Sequence, residues 1–429
     1  MQPRRIAVVG CGYVGLTTGA CLTGLGHEVI CCDVDGEKIA RLRRGEVDIR
    51  EPGLGELVAD GAATGGLGFT QDIRQAVRGA EVVFLCLPTP RGADGGADLG
   101  AVESVAGDLR ALLSRGAVVV TKSTVPVGTA ERLGRWLGRD DVAVVSNPEF
   151  LREGHAVEDF LNPDRVVVGS DERRAAELVA GLYSPLGART LLIDPVSAEL
   201  VKYASNGFLA TKLSYVNDLA ELCERTGGDV EAVTGGMRRD HRIAPSFLRA
   251  GPGWGGSCLP KDTAALLHTA DTAGVDLPLL RAAVRANAHH QARVADEVVE
   301  RCGGDVAGAR IGLLGLTFKA GTGDLRDSPA LAVARLLADR GAQLRGYDPE
   351  CAQLPAVEQV RCVGDPYLAA EDADALVLLT DWPEFAELDW AKVAEVMRAR
   401  VLVDARNQLD PREPARAGIT WRGTGRTLR

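Results

Sequence analysis

The chain has 429 residues, more than one hydrophobic core usually organises, so we expect two or three domains. A net charge of -10 without long lysine or arginine runs argues against a nucleic-acid partner, and no apolar stretch approaches the roughly 20 residues that cross a bilayer. Because Arg4 and Arg5 lead directly into a strand-like run rather than a signal sequence, we expect a cytoplasmic protein.

A strand, a glycine turn and a helix open the chain. Residues 4–9 form a β-branched run, G-C-G-Y-V-G follows, and Asp33 ends the next apolar run. In this context Gly10, Gly12 and Gly15 allow a tight turn, close approach to a pyrophosphate and close packing, while the helix N-terminus favours negative charge. Asp33 is suited to bind ribose hydroxyls and to repel a 2′-phosphate, so the pattern predicts NAD rather than NADP.

Alternating strands and helices continue through the first ~200 residues, which indicates a doubly wound α/β domain. Strand-like runs are present at 81–88, 117–123, 142–148 and 165–170. An uninterrupted helical pattern then runs from Pro195 to about Arg225, long enough to bridge domains or pack against a second copy of itself.

A second α/β unit begins near Arg310, with strands in ARIGLLGL, AQLRGYDP, ADALVLLTDW and ARVLVDARN and a helix over 328–340. Gly312 and Gly315 do not complete a G-x-G-x-x-G. We therefore predict an α/β protein with two Rossmann-like doubly wound domains joined by a long central helix. The expected domains are an N-terminal NAD-binding domain at 1–194, a central helical domain at 195–300 and a C-terminal α/β domain at 301–429.

Cysteine is common, but most cysteines lie inside apolar runs and none forms a C-x-x-C pair, so we expect buried thiols and no metal site. Cys258 differs, because it lies in GWGGSCLPKD, where Ser257 is a candidate N-cap and Pro260 fits the first helical turn. A helix N-terminus lowers the pKa of a thiol, which predicts a nucleophile. The alternative is a buried cysteine beside a glycine turn.

Three polar residues are candidates to act with this thiol. Asp262 follows Cys258 by four residues and would share its helix face, where it could handle a proton or be an ordinary first-turn acid. Lys202 and Asn206, also four residues apart, would stabilise an oxyanion or form a solvated polar stripe.

Eight motifs in order resemble those of the UDP-glucose/GDP-mannose dehydrogenase family along nearly the whole chain: GCGYVGL, DVDGEKIARLRRGEVDIREPGL, LPTP, KSTVPVGT, NPEFLREG, AELVKYASNGFLATKLSYVND, GGSCLPKD and GLTFKAGTGDLRDSPA. Two positions depart from the family pattern, where Trp254 replaces a frequent phenylalanine or tyrosine and Arg50 replaces a residue that is often aromatic.

The resemblance implies that the central domain at 195–300 carries the dimer interface and the cysteine loop, and that the C-terminal domain at 301–429 binds the nucleotide sugar. It also implies a catalytic set, cofactor contacts and substrate contacts. The implied catalytic residues are Cys258, Lys202, Asp262, Asn206, Glu149, which would assist thioester hydrolysis, and Thr124, which would hold the water or lie against the nicotinamide. The implied cofactor contacts are Gly10, Gly12, Tyr13, Val14, Gly15, Asp33, Lys38, Thr89, Thr124, Glu153, Lys261 and Arg326. The implied substrate contacts are Glu149, Phe150, Leu151, Lys202, Asn206, Arg242, Phe247, Leu248, Gly255, Cys258, Lys319 and Arg406.

The implied activity is a four-electron, NAD-dependent oxidation of UDP-glucose to UDP-glucuronate through a thiohemiacetal and a thioester on Cys258. GDP-mannose, UDP-N-acetylhexosamines and dTDP-glucose are alternative substrates. The implied assembly is a homodimer in which Arg242 reaches the partner's sugar site. Two other functions remain open at this point: a two-electron alcohol dehydrogenase with a structural Cys258, which would form one NADH per sugar, and an inactive NAD-binding sensor, which would turn over no nucleotide sugar.

Overall fold

The structure is a computed structural model that describes residues 2–92, 95–350 and 357–426. The chain divides into two compact units, one formed by residues up to Ser205 with Ala264–Gly274 and the other by Asn206–Thr263 with residues from Val275 onward. Of the helices in the described residues, none combines the length and apolar character of a membrane span.

The first unit is built on a sheet of eight strands, β1 to β8, at Arg5–Val9, Glu28–Cys32, Leu67–Thr70, Val82–Leu85, Val118–Thr121, Ala143–Ser146, Val166–Gly169 and Thr190–Ile193. Its helices α1 to α8 lie at Tyr13–Gly24, Gly36–Arg43, Leu54–Ala63, Ile73–Val77, Gly100–Leu109, Thr129–Leu137, Ala156–Leu161 and Arg173–Leu182. A 3-10 turn follows at Ser184–Leu186.

The strand order is β3-β2-β1-β4-β5-β6-β7-β8, and every neighbouring pair is parallel except β6 and β7, which meet at one antiparallel pair, Ser146 with Gly169. Successive residues of β1 enter different cores. Ile6 and Val8 pack on one face of the sheet, and Ala7 and Val9 pack on the other. This alternation arises because neighbouring strand side chains point to opposite faces, and helices cover both.

Helix α9, Pro195–Thr226, has 32 residues and confirms the predicted central helix. Its residues pass from the first unit to the second after Ser205. The following helices α10, α11 and α12 lie at Val230–Met237, Leu259–Thr272 and Pro278–Arg301.

The second unit contains a six-stranded parallel sheet with strands β9 to β14 at Arg310–Leu314, Gln343–Tyr347, Val360–Cys362, Ala375–Leu378, Val401–Asp404 and Thr420–Gly423. Helices α13 to α16 lie at Pro329–Ala338, Pro366–Ala370, Trp390–Val396 and Arg412–Arg416, with a 3-10 turn at Pro383–Glu387. The order β11-β10-β9-β12-β13-β14 repeats the order of the first six strands of the other sheet. The predicted fold class is therefore confirmed.

Four strands did not stand out in the sequence: β3, β8, β11 and β14. Each lies at an edge of its sheet. An edge strand pairs on one side only and is less completely buried, so it need not carry a continuous β-branched run. In β8, for example, three of the four residues are exposed.

Candidate active site

The first glycine turn has the backbone geometry that the sequence predicted. Gly10 has φ +99, and a Cβ there would lie 2.3 Å from the Cys86 carbonyl oxygen. A Cβ on Gly15 would lie 1.8 Å from the Gly10 carbonyl oxygen. No atom within 4 Å would meet a Cβ on Gly12, which is the N-cap of α1. Gly10 and Gly15 are therefore required by packing, whereas Gly12 leaves open space before a helix N-terminus, as a pyrophosphate requires.

Asp33 lies just after β2 and contacts this turn. Its Oδ2 accepts hydrogen bonds from the Cys11 amide at 2.7 Å and the Lys38 ammonium at 3.2 Å, and its Oδ1 accepts from the Asp35 amide at 3.0 Å. The side chain is 11% exposed. An acid in this position, beside an open helix N-terminus, fits the ribose-binding part of an NAD site.

Tyr13 connects the glycine turn to two other motifs. Its hydroxyl donates to the buried Glu51 carboxylate, and the Gly154 amide donates to the Tyr13 oxygen at 2.9 Å and to Glu51 Oε2 at 2.8 Å. Burial and the Glu51 carboxylate raise the pKa of Tyr13. The phenol therefore remains protonated and acts as a donor. Glu51, which the sequence reasoning left unassigned, thus ties EPGL to the glycine turn and to NPEFLREG.

A buried ion pair joins α9 to the segment after β6. Lys202 Nζ lies 2.9 Å from Glu149 Oε1, and both side chains are buried. Burial alone would raise the pKa of Glu149, but the charge and hydrogen bond of Lys202, the Leu151 amide and the charge of Lys122 together hold that pKa below its ordinary value. Glu149 is therefore a carboxylate at neutral pH and can accept a proton.

Lys122 is a second buried cation in this region. Its Nζ donates to Asn147 Oδ1 at 3.0 Å and to the Tyr183 hydroxyl at 3.1 Å, and Tyr183 also donates to Asn147 at 2.7 Å. Burial lowers the pKa of Lys122 to about 8. Because Asn147 precedes Glu149 by two residues, this network fixes the backbone that carries the carboxylate.

Glu199 links α9 to the start of α6. Helix α6 begins after Gly128, which has no side chain to cap it, and Glu199 instead accepts hydrogen bonds from the Gly128 amide at 2.6 Å and the Ala130 amide at 2.8 Å. Lys202 follows Glu199 on α9, and both line a small cavity with Thr121, Ser123, Thr124, Val125, Ser146 and Pro148. Lys122 and Glu199 were both missed from sequence. The only signal was a charged residue inside an otherwise apolar run.

The remaining predicted residues of the first unit surround this pair and turn. Thr89 donates from its hydroxyl to the Thr124 carbonyl at 2.8 Å, which joins LPTP to KSTVPVGT. The Phe150 ring lies 5.4 Å from Lys202 Nζ and 3.7 Å from the Arg165 guanidinium. Val14 packs against the core, and Glu153 is half-buried.

In the second unit, Asp262 and Asn206 form a buried contact. Asn206 Nδ2 donates to Asp262 Oδ2 at 2.6 Å, and Lys261 Nζ lies 2.6 Å from Asp262 Oδ1. Asp262 is 1% exposed. Burial therefore excludes the interpretation of Asn206 as part of a solvated stripe. Asp262 is an acid of the first turn of α11, and its carboxylate is buried.

Cys258 occupies the N-cap position of α11. The helix begins at Leu259, and the Asp262 amide donates to the Cys258 carbonyl at 2.9 Å. The predicted N-cap, Ser257, is therefore wrong by one residue. The turn places Ser257 one step earlier, with its hydroxyl 3.6 Å from the Cys258 sulfur. Cys258 is partly exposed, whereas Cys21, Cys31, Cys32, Cys86 and Cys223 are buried as predicted.

The second sheet carries a glycine turn like the first. Gly315 has φ +90, and a Cβ there would lie 2.3 Å from Thr380 Cβ. The fully buried Asp348 follows β10 and accepts from the Leu316 amide at 2.8 Å and the Thr317 hydroxyl at 2.9 Å. The Trp382 indole donates to the same oxygen of Asp348 at 3.1 Å. This turn fixes the backbone that leads to Lys319.

Arg406 and Lys319 lie near Phe318. Arg406 Nη2 donates to the Phe318 carbonyl at 3.1 Å and Nε donates to the Leu379 carbonyl at 2.8 Å. Burial lowers the pKa of Arg406 from its ordinary value. Lys319 Nζ lies 5.4 Å from the centre of the Phe318 ring.

Other predicted ligand-contact residues of the second unit lie in or beside an apolar cluster, or form exposed local ion pairs. Leu248 is buried in a cluster with α9 and α10, and Phe247 beside it has φ +60. Arg242 and Arg326 are exposed and pair with the nearby Asp240 and Asp324. Within the described ranges, no three His, Cys, Asp or Glu side chains gather as metal ligands.

Replacing Gly12 and Gly15 separately by alanine tests the cofactor turn. Gly15→Ala should destabilise the chain by about 1–3 kcal/mol even without ligand, because its Cβ would overlap the Gly10 carbonyl. Gly12→Ala should keep its thermal stability within a few degrees yet bind NAD about tenfold more weakly. Thermal unfolding and NAD titration measure both. Equal NAD affinity of Gly12→Ala and the unchanged chain would contradict the assignment.

Lys202→Met tests the buried pair by pH. The lowered pKa of Glu149 means that the native pair contributes stability above the ordinary carboxyl range and loses it as the pH falls through the lowered pKa. Without Lys202, uncompensated burial should raise that pKa, so stability should instead fall as the pH rises through the raised value. We expect a loss of about 3–5 kcal/mol at pH 7, measured by urea unfolding.

The double variant Lys202→Met with Glu149→Gln is the control for that experiment, because it removes both charges. It should recover much of the lost stability and abolish the reversed pH dependence. If the stability of Lys202→Met alone changed with pH as that of the native chain does, the ion pair would not determine the ionisation of Glu149.

Comparison with known proteins agrees with the motifs over the whole length. Residues 4–187 match the NAD binding domain of the UDP-glucose/GDP-mannose dehydrogenase family, residues 196–289 its central domain and residues 312–411 its UDP binding domain. A UDP-glucose 6-dehydrogenase of Rhizobium meliloti (strain 1021) is 45% identical, covering 98% of this chain and 99% of the relative. One from Pseudomonas aeruginosa is 44% identical, covering 98% and 97%.

Solved structures agree as well. A UDP-glucose dehydrogenase from Pyrobaculum islandicum superposes with a TM-score of 0.90 at 36% identity, covering 99% of this chain and 98% of the other. A UDP-D-ManNAc dehydrogenase from Pyrococcus horikoshii gives 0.88 at 30% identity, covering 98% and 99%. The prediction of NAD as cofactor is confirmed by the NAD-binding domain. The chain therefore belongs to the UDP-glucose/GDP-mannose dehydrogenase family and is an NAD-dependent nucleotide-sugar dehydrogenase.

Proposed function

We propose that this chain oxidises UDP-glucose to UDP-glucuronate in the cytoplasm, with Cys258 as a covalent nucleophile. The observation that carries the proposal is the position of Cys258 at the N-cap of α11, one turn before the buried Asp262. The relatives named UDP-glucose 6-dehydrogenase support this substrate. The UDP-binding domain supports the nucleotide.

Asp262 and Asn206 serve the first oxidation in this proposal. The Asp262 carboxylate takes the proton of the C6 hydroxyl as the aldehyde forms, and the Asn206 amide and Lys261 hold its oxygens in place. A bound NAD⁺ would supply the hydride acceptor for each oxidation, so that two NAD⁺ would be consumed per sugar. Gly12 and the N-terminus of α1 would hold its pyrophosphate, and Asp33 would hold its ribose.

Cys258 then forms a bond to the aldehyde carbon, so that the aldehyde is not lost to solvent. The product is a thiohemiacetal, and its carbon still carries one hydrogen. In the second oxidation this hydrogen leaves as hydride, and the thiohemiacetal becomes a thioester. Partial positive charge at the start of α11 favours the thiolate that makes this bond. Lys202 and Asn206 stabilise negative charge on the oxygen during addition and breakdown.

Hydrolysis of the thioester completes the reaction. Glu149 is held in its ionised form by Lys202, so at neutral pH it is available to take a proton from the attacking water. Water adds to the carbonyl carbon, the carbon–sulfur bond breaks, and the Cys258 thiolate leaves. We assign Thr124 to the placement of this water.

The remaining assignments extend from the family resemblance. We propose that Lys319 and Arg406 bind the nucleotide sugar in the domain at 301–429, with Phe150, Leu151, Phe247, Leu248 and Gly255 as further sugar-side contacts. We propose that Lys38, Thr89, Glu153, Lys261 and Arg326 contact the cofactor of the domain at 1–194. The central domain, at 195–300, supplies the cysteine loop and the dimer interface.

Counting NADH against sugar tests the four-electron scheme. Each UDP-glucose consumed should yield two NADH and one UDP-glucuronate, and Cys258→Ala should stop acid formation, as followed by absorbance and mass spectrometry. Cys302→Ala is a matched control, because Cys302 is also partly exposed but lies at the end of α12. A ratio of one NADH per sugar, or undiminished acid formation by Cys258→Ala, would exclude the thiol mechanism. Running the same assay with GDP-mannose, UDP-N-acetylhexosamines and dTDP-glucose tests the substrate.

A homodimer is supported by the surface of α9 within the second unit. Phe208, Tyr215 and Leu222 are exposed large apolar residues spaced by seven, the spacing that places side chains on one helix face. Phe208 is 68% exposed and Leu222 is 55% exposed. We propose that a second copy of this chain covers this face and that Arg242 extends to the partner's sugar site.

Charges on this face should separate the subunits. Phe208→Glu combined with Leu222→Glu should shift the chain from a dimer to a monomer in light scattering, since two carboxylates would be buried in the interface. Leu279→Glu is the control, because Leu279 is also exposed but lies at the start of α12. A double variant that keeps the native mass would contradict the assigned interface.

A further inference from the structure

The loop that precedes Cys258 is attached to α12 by one side chain. Asn287 Oδ1 accepts a hydrogen bond from the Trp254 amide at 2.8 Å, and Asn287 Nδ2 donates to the Trp254 carbonyl at 2.9 Å. Asn287 is 8% exposed and Trp254 is 6% exposed. One amide side chain therefore satisfies both polar backbone groups of a single buried loop residue, as a paired strand would.

The loop approaches Asn287 too closely for an ordinary residue. Gly253 has φ +120, and a Cβ there would lie 2.8 Å from Asn287 Oδ1. A side chain at this position would be strained by the backbone angle and would also push the amide away. The contact of Asn287 with the loop therefore requires a glycine at position 253.

Other side chains of α9 and α12 hold the same loop. The Trp254 indole donates to the Ser214 hydroxyl at 2.9 Å, and the Gly251 amide donates to Asn217 at 3.1 Å. His290 Nε2 donates to the Gly251 carbonyl at 2.8 Å. Burial lowers the pKa of His290 to about 4, so its ring is neutral near pH 7. Trp254 is thus buried in the protein interior, where it anchors the loop.

The far end of the loop packs on Phe318 and Asp327, which lie on either side of Lys319 in the sequence. A Cβ on Gly255 would lie 1.9 Å from the Asp327 carbonyl oxygen, and one on Gly256 would lie 2.7 Å from the Phe318 ring. Glycines adopt many backbone conformations. Gly255 and Gly256 therefore place Cys258 in one position only if the residues on both sides of them are held. Trp254 provides the fixed point before them, and α11 provides the one after.

We propose that Asn287 is a positioning residue that fixes Trp254 and thereby holds the Cys258 sulfur at the N-terminus of α11. This inference rests on the proposed role of Cys258 as the nucleophile. Asn287 does not touch the reacting atoms and acts only through the loop. Its loss should therefore change how reactive the thiol is as well as how stable the chain is.

Two variants test the clamp. Asn287→Leu removes both hydrogen bonds at similar volume. Asn287→Asp keeps the bond from the Trp254 amide but places an oxygen against the Trp254 carbonyl, and so provides a less disruptive change should the leucine variant not fold. Arg285→Leu is the matched control, because Arg285 is an exposed residue on the same helix.

The decisive measurement is the rate of Cys258 alkylation by iodoacetamide across pH, followed by mass spectrometry of the peptide that contains it. Both Asn287 variants should react about tenfold more slowly at pH 7, with the pH midpoint of alkylation moved upward, because the thiolate loses its alignment with the helix N-terminus. Their kcat should fall by about tenfold or more, while KM for NAD stays unchanged. Arg285→Leu should match the native chain in every readout.

The outcomes separate this inference from the proposed function. If folded Asn287 variants alkylate with the native rate and pH profile, the positioning role is overturned, whatever their activity. If instead Cys258→Ala still forms the acid, the covalent mechanism fails, but the alkylation experiment still reports whether Asn287 places the sulfur. A lowered melting temperature with native alkylation would reduce Asn287 to a stabilising residue and would overturn the proposal.

Discussion

The buried ion pair between Lys202 and Glu149 constrains the first unit, because two charges are held there away from water. Removing two charges from water costs several kcal/mol per ion, so such a pair is tolerated only where its geometry is well held. The surrounding contacts serve this purpose: Lys122 fixes the backbone before Glu149 through Asn147, and Glu199 fixes α9 one turn before Lys202. The result is an ionised carboxylate at a rigid place, which is what a proton acceptor requires.

The second unit holds its predicted catalytic side chains through a different set of contacts. Asp262 is held by Asn206 and Lys261, and Cys258 receives its environment from the start of α11. A nucleophile at a helix N-terminus depends on direction, because the favourable field falls off within the first turn. The contacts of Asn287 and Ser214 with Trp254 would then correspond to the ion pair, because in our proposal they fix the loop that leads to Cys258 and α11.

The two sheets share one arrangement of a glycine turn and an aspartate, and the aspartate has a different environment in each. In each, a glycine with positive φ follows the first strand and an aspartate follows the second, and the aspartate accepts a hydrogen bond from the residue after the glycine. Asp33 remains partly exposed, whereas Asp348 is fully buried beneath Trp382 and Thr317. The first acid is thus available to a ribose, and the second is confined to holding a loop.

The sequence by itself determined the fold class, the cofactor turn, the central helix and the order of the motifs. These features have local causes: β-branched runs, glycine spacing and helical periodicity act over a few residues. Tertiary structure alone decided which charges are buried together. Glu149 and Lys202 are 53 residues apart, and Asn206 and Asp262 are 56 residues apart. A local sequence pattern cannot predict such pairs. The edge strands and the roles of Glu51, Glu199 and Asn287 also depended on partners distant in the chain, because burial and hydrogen bonding are set by the packed neighbours.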